Sequence, residues 1–459
     1  MHKTVVINAV GLTARLVGGN TPRIGEIVRG GEMACVGTVW PAVTTTVQST
    51  YLTGTWPSEH GIVGNGWYFR DQCEVKFWRQ SNKLVQGGKI WERARERDAK
   101  FSCANLFWWY NMYCGADWSV TPRPMYPADG RKIPDVYSSP AGLREELQGD
   151  LGQFPLFEFW GPMTSIRSTE WIAEAAIRVD RKFDPTLSLI YLPHLDYGLQ
   201  RWGPDDARIA GELRDLDGVV GKLVDHFRSR GARVLILSEY GIQGVSRQIH
   251  LNRVLREAGL LAVREEMGRE LLDAGASVAF AVADHQVAHV YVNDKSRVGE
   301  VRDLAASVKG VARVLDERGK EEMHLDHERS GELVALAERD AWFTYYYWLD
   351  EARRPDFART VDIHRKPGYD PAELFLDSNI LSPKMKVAWT LLKRKMGMRS
   401  LLEVIPTDGG MVKGSHGVEP ATPEEGAVII SSEKRVIGPS TIEGREVYNV
   451  IWRSVFEGI

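Results

Sequence analysis

The stretch 40–66, WPAVTTTVQSTYLTGTWPSEHGIVGNG, constrains this chain more than any other. Its first half reads as a helix that Gly54 caps at the C-terminus and that Pro57 forbids from continuing. The helix opens on poor helix formers. Thr44, Thr45, Thr46, Val47 and Thr50 are β-branched and lose side-chain freedom in a helix. Thr44 therefore has two readings. It caps the helix, as threonine commonly does, or it presents a hydroxyl at a helix N-terminus, where unpaired N–H groups favour a phosphate or a developing alkoxide.

A chain of 459 residues can bury a large core and carry one main domain with an insertion. Lys and Arg number 58 against 61 Asp and Glu, a net charge of −3, which argues against a nucleic-acid binder driven by bulk charge. Cys35, Cys73, Cys103 and Cys114 lack metal spacing and read as reduced thiols. The first residues run directly into a strand, and no apolar run reaches membrane-spanning length. The expectation is a cytoplasmic protein without a signal peptide or transmembrane segment. The basic, amphipathic stretch 383–402, PKMKVAWTLLKRKMGMRSLL, reads as a surface helix with its lysines facing water; a peripheral membrane contact is the alternative.

Residues 4–10 are a short apolar run of the kind found in buried parallel strands. Helical patterns follow at 22–29, 167–182 and 205–229, and strand patterns at 33–39, 186–196 and 232–241. Strand, helix, strand without a hairpin signal makes a βαβ unit and a parallel sheet. Residues 67–82 and 101–113 are dense in aromatics, which suit a core or a ligand pocket. The segment 118–140 carries Arg123, Arg131 and Lys132 and reads as an irregular lid or pocket wall. The pattern changes at 256–385, read as an inserted α+β cap between core segments 1–255 and 386–459. A strand at 426–432 and a helix from Thr441, with Ser440 and Glu443 as a capping box, close the chain.

In parallel sheets the chemistry gathers at the carboxyl ends of the strands. Asp196 and Gln200 lie there, four apart, on one face if the chain turns helical. Glu239 and Tyr240 end the next strand. His416 sits in the turn-like Gly414-Ser415-His416-Gly417, and Asn65 follows Thr44. A threonine, an asparagine, two carboxylates and a histidine around one sheet edge make a candidate metal-assisted phosphoryl site. His194 is a further candidate for the pocket. Asp362, His364, Arg365 and Lys366 either grip a phosphate or form a solvated loop, whereas His285, His289, His324 and His327 read as structural.

The chain resembles the alkaline phosphatase superfamily, in particular its nucleotide pyrophosphatase/phosphodiesterase branch. The resemblance rests on P-x-x-T at Pro41–Thr44, on T-G-x-x-P-x-x-H-G-I-x-x-N from Thr53 to Asn65, on D-x-x-x-Q from Asp196 to Gln200, on Ser238-Glu239-Tyr240-Gly241 and on Gly414–Gly417. It implies a three-layer α/β sandwich, with a mostly parallel sheet between helices and a smaller inserted cap. It implies Thr44 as nucleophile, Asn65 as the donor that steadies a phosphate oxygen, and Asp196 and His416 as ligands of one of two metal ions, usually zinc. The chain departs from the family where the first strand's Asp is Val10, with Asn8 two residues earlier on the same side. It departs again where a His becomes Gln200 and where Asp-His becomes Glu239-Tyr240. The metal residues left are Asp196, Glu239, His416 and Gln200. That set has lost most of the preference for zinc and leaves at most one well-held ion, Zn²⁺, Mg²⁺, Mn²⁺ or Ca²⁺, or none.

The expected activity is that of a phosphodiesterase or phosphohydrolase acting on a small phosphorylated metabolite, with Tyr240, Asn8, His194, Arg123 and His364 around the substrate. The alternative is a metal-poor relative that binds a phosphometabolite or performs a non-hydrolytic transfer. A further resemblance, to the phosphodiesterase-like proteins of bacterial ebo-type gene clusters, implies specialised metabolism.

Overall fold

The structure, a computed structural model, describes residues 1–396, 398 and 400–458. The elements used below are β1 (Thr4–Ala9), α1 (Pro22–Gly30), β2 (Glu32–Val36), α2 (Thr44–Thr53), β3 (Cys103–Leu106), β4 (Trp118–Pro122), β5 (Val136–Ser139), α3 (Ile166–Phe183), β6 (Leu187–Leu192), α4 (His194–Trp202), α5 (Ile209–Ser229) and β7 (Arg233–Leu237). They are followed by β8 (Ala279–Asp284), β9 (Val287–Val292), β10 (Val311–Leu315), β11 (Leu333–Ala337), α6 (Pro383–Lys395), β12 (Ala427–Ser431), β13 (Thr441–Ile442) and α7 (Glu446–Phe456).

A nine-stranded sheet runs in the order β13-β2-β12-β7-β1-β6-β3-β4-β5. Its centre, β7, β1, β6, β3 and β4, is parallel. All six side chains of β1 and of β6 are buried, as expected of strands covered on both faces. Four antiparallel strands, in the order β8-β9-β11-β10, form a second sheet with its own apolar core. The main core draws on residues from Val5 to Ile242 and from Ala427 to Val455. The mixed α/β architecture with a large, mostly parallel sheet is the one the sequence implied.

Three expectations are corrected. The strand read at 186–196 stops at Leu192, and α4 already begins at His194. The segment 118–140 is no continuous irregular lid: β4 and β5 pair antiparallel and close one edge of the sheet, leaving only residues between them as a loop. No helix starts at Thr441. Residues 441–442 pair with Cys35 and Val36 at the other edge, and Ser440 lends its carbonyl to the Cys35 N–H, so an open sheet edge outcompetes the local capping signal. Among the described residues no helix is long and apolar enough to cross a membrane.

Candidate active site

Helix α2 begins where its β-branched opening made a helix improbable, and burial explains it. All ten of its residues are buried. Its hydroxyls bond back to the helix, Ser49 to the Thr45 carbonyl at 2.7 Å, Thr50 to Thr46 at 3.2 Å and Thr53 to Ser49 at 2.7 Å. Tertiary packing and satisfied hydroxyls outweigh propensity. Gly54 ends the helix at φ +69°, as expected. Val43 is the N-cap and the Thr44 side chain caps nothing, which removes the bland reading of this residue.

The Thr44 hydroxyl instead lies 3.0 Å from the Tyr240 hydroxyl, which donates to Asp196 Oδ1 at 3.3 Å. Asp196 and Gln200 share a face of α4 as their spacing predicts, and Gln200 Nε2 donates to Asp196 Oδ2 at 2.7 Å. Glu239 leaves the end of β7, and its Oε1 accepts from Asn8 Nδ2 and from Gln48 Nε2, each at 2.6 Å. Its Oε2 is buried without a partner, as is Asn8 Oδ1. The side chain also faces the Thr44 hydroxyl.

Four rings close the far side of the hollow. Tyr240 stacks on His416 at 3.6 Å and 8°, His416 on His285 at 3.6 Å, and His285 on Tyr369 at 3.7 Å. The Tyr369 hydroxyl then donates to Gln200 Oε1 at 2.7 Å, so the contacts run back to Asp196. Two stacked imidazoles require little charge between them. Burial holds His416 down to about 3 and His285 well below its ordinary range. Gly414 lets the His416 turn approach α4, since a Cβ there would stand 2.2 Å from the Leu199 carbonyl.

Burial moves the carboxyls the other way. It raises Asp196 to about 7, against the pull of Gln200 and Tyr240. It raises Glu239 to about 8, where neighbouring Asp196 adds to the shift and the Gln48 and Asn8 amides oppose it. Both acids can thus exchange protons near neutrality, the property wanted of general acids and bases.

Asn65 is also at the helix start, but its amide is engaged otherwise than expected. Its Oδ1 accepts from the Thr45 N–H at 3.1 Å, and its Nδ2 donates to Asp284 Oδ1 at 3.1 Å. His194 does not join the cluster. Its Nε2 lies 3.0 Å from Glu212 on α5, against which α4 packs. Arg123 donates to Gln80 at 3.2 Å and His364 bonds the Phe77 carbonyl at 3.4 Å. These two lie within electrostatic reach of each other, together with Arg79 and Lys132. Trp78 and Trp109 lie 4.9 Å apart, with Trp78 against Tyr369 at 6.1 Å. The Trp109 backbone N–H donates to Gln48 Oε1 at 2.7 Å.

Sequence reading missed Gln48, Tyr369, His285 and Asp284. Gln48 had a signal, four residues after Thr44 on the same helix face.

The sequence profile described as type I phosphodiesterase/nucleotide pyrophosphatase matches residues 4–370, most of the chain. The chain belongs to that family. A curated relative, an uncharacterized pyrophosphatase/phosphodiesterase of Schizosaccharomyces pombe, is 24% identical over 217 residues, 45% of this chain but only 37% of the yeast protein. The fold is shared with human ectonucleotide pyrophosphatase/phosphodiesterase 5, at TM-score 0.61 and 13% identity, covering 99% of this chain and 94% of that one. A murine counterpart, solved as an inactive variant in complex with AMP, gives 0.60 and 14%, covering 99% and 95%. Phosphonoacetate hydrolase of Sinorhizobium meliloti, in complex with phosphonoformate, gives 0.62 and 14%, covering 99% and 96%. In this phosphodiesterase-family member His416 lies beyond the matched residues.

The donor set of this family member does not fit a pair of zinc ions. Asp196, Glu239, His416 and Gln200, the expected metal residues, do gather in one hollow. The carboxylate oxygens, however, accept N–H and O–H groups from Asn8, Gln48, Gln200 and Tyr240, while His416, whose Nδ1 bonds the Ala42 carbonyl at 2.7 Å, has only Nε2 to offer. Among the described residues no three His, Cys, Asp or Glu side chains form a group able to hold a metal ion. Val10 lies in the apolar core, so the family's first acid has no replacement at its own position. Where a cation would balance the carboxylates, this chain supplies neutral amide and hydroxyl donors.

The buried titratable groups fix the pH dependence of stability. Eight histidines are held below their ordinary range: His60 and His416 at about 3, His250, His289 and His364 at about 4, His285 well below it, and His2 and His327 below it as well. The unfolded chain protonates them near about pH 6.5, so their contribution is complete above that pH and is lost as pH falls toward the folded values. Asp196 and Asp284 at about 7 and Glu239 at about 8 run the other way. Their contribution is present below about pH 4 and is lost as pH rises through about 7 to 8. The eight histidines outweigh the three acids below about pH 6.5, and above it the loss from the acids remains. Thermal unfolding followed against pH therefore peaks near about pH 6.5 and falls on both sides; a Tm that keeps rising to about pH 9 contradicts this assignment.

Proposed function

We propose that this protein hydrolyses a phosphate ester, with the Thr44 hydroxyl as nucleophile and Asp196 as proton acceptor through Tyr240. The observation that supports it most is the unbroken line from Thr44 Oγ1 to the Tyr240 hydroxyl to Asp196 Oδ1, at 3.0 and 3.3 Å. Thr44 Oγ1 attacks phosphorus in line, its proton passes to the Tyr240 oxygen, and the Tyr240 proton passes to Asp196. The bond from phosphorus to the leaving oxygen breaks, and neutral Glu239 donates the proton that oxygen needs. Water then attacks phosphorus and gives its proton to the Glu239 carboxylate, the bond from phosphorus to Thr44 Oγ1 breaks, and Asp196 returns its proton through Tyr240 to that oxygen. No step is routed through a metal ion. The N-terminus of α2 receives the phosphate charge.

The substrate is a small phosphorylated metabolite. That relatives of the same fold are seen with AMP and with phosphonoformate supports the class. The Trp78–Trp109 pair suits its organic part, and Arg123 and His364 suit further charge at the rim. A second reading, a phosphometabolite binder without turnover, is favoured by how closed the site is: Thr44 is 4% exposed and Glu239 3%.

Release of nitrophenol from bis(4-nitrophenyl) phosphate separates the two. The relay predicts turnover that persists in chelator and falls about a hundredfold in Tyr240→Phe. Undiminished turnover in Tyr240→Phe dismisses the relay. Absence of turnover with every divalent ion, together with tight binding of a nucleoside monophosphate, establishes the binder.

A further inference from the structure

Helix α6 presents a row of exposed apolar side chains. Met385, Trp389, Leu392 and Met396, spaced for one helix face, are 71%, 55%, 47% and 55% exposed. The described polar positions divide, with Lys393 lying over the Trp389 ring at 5.5 Å. Thr390 is buried, and Lys386 lines a cleft of about 470 Å³ together with Glu351, Arg359 and Asp377. The excursion that carries the helix is pinned at its neck. The Asp377 N–H donates to the Val404 carbonyl at 2.8 Å, and the Val404 N–H to the Arg359 carbonyl at 3.0 Å. Arg359 pairs with Asp377 at 2.6 Å.

The charge of this stretch says what covers the apolar face. Residues 378–402 contain Lys384, Lys386, Lys393, Arg394, Lys395 and Arg399 and no acid, in a chain whose net charge is −3. A twofold contact with a second copy would set one such cationic stretch against another. An anionic lipid surface satisfies both features, because it accepts the apolar side chains, seats a tryptophan at the headgroup level and attracts the cations. We propose that α6 docks this protein on anionic membrane surfaces, lying in the plane of the interface with Met385, Trp389, Leu392 and Met396 inserted. The proposal stands apart from the catalytic reading and survives its failure.

Co-sedimentation of the full chain with vesicles tests it. The protein binds vesicles with about one-third phosphatidylglycerol at least about tenfold more tightly than pure phosphatidylcholine, and high salt weakens the binding. The pair Met385→Glu with Trp389→Glu, and the triple Lys393→Glu, Arg394→Glu, Lys395→Glu, each reduce binding about tenfold or more, with hydrolysis of a soluble diester and Tm unchanged. Three results overturn the proposal: no binding to anionic vesicles, full binding by both variants, or a dimer in solution that Trp389→Glu dissociates while vesicles are ignored.

Discussion

Thr44→Ala lowers kcat/KM for a phosphodiester by about a thousandfold or more while leaving the fold intact. The substitution removes one hydroxyl and one hydrogen bond, to Tyr240. The helix start does not depend on it, because the Thr44 side chain makes no capping bond. Alanine is the better helix former, so the cost to stability stays within about 1 kcal/mol. The Tyr240 hydroxyl retains Asp196 as its acceptor, which keeps the rest of the hollow in place. Steady-state kinetics beside a thermal melt checks both halves. Equal activity in the variant would move the nucleophile elsewhere, and a large fall in Tm would make Thr44 a structural residue.

Lys366→Met gives the largest loss of stability expected from any single change near the site, about 3–5 kcal/mol. Lys366 is 1% exposed, with its ammonium 2.7 Å from Asp370 and 2.7 Å from Glu373, both equally buried. Those carboxylates have other work. Glu373 Oε2 accepts from the Trp160 indole at 2.5 Å and its Oε1 from the Asp362 N–H at 3.0 Å, while Asp370 accepts from the Ala372 N–H at 3.2 Å. Removing the cation leaves two buried acids without a counter-ion, and burial already raises Asp370. Methionine keeps the volume, so the loss isolates the charge. The triple change Lys366→Met, Asp370→Asn, Glu373→Gln recovers most of the stability, since neutral groups need no counter-ion. Denaturant unfolding of the single and triple variants measures this. Tyr369 lies in the same segment, so the single variant also loosens the ring stack against His285.

Much of the site could be read from local spacing. Thr44 at a helix start, Asp196 and Gln200 four apart, and Glu239 at a strand end follow from rules that span a few residues. Asn8, read as facing the same side as the missing acid, does meet Glu239. What the sequence concealed depends on contacts between distant segments. His285 looked structural because it follows a strand that packs a separate core. Only the second sheet's placement brings it between His416 and Tyr369. Gln48 lay in plain view, but a glutamine inside a helix has no chemical signature until Glu239 is seen to need a donor. The reading of 441 onward as helix failed for a related reason, a free sheet edge being invisible in a local window. The departures from the family's metal residues were legible one by one. That amides and a phenol occupy the places of cations around both carboxylates was not.

The central claim is two displacements at phosphorus, the first by Thr44 and the second by water. The stereochemical course of hydrolysis tests it most directly, using a phosphorothioate diester chiral at phosphorus and isotopically labelled water. Two in-line displacements restore the starting configuration, so the account predicts retention. Inversion would show that water attacks phosphorus directly, and that the Thr44–Tyr240–Asp196 line does not carry the reaction.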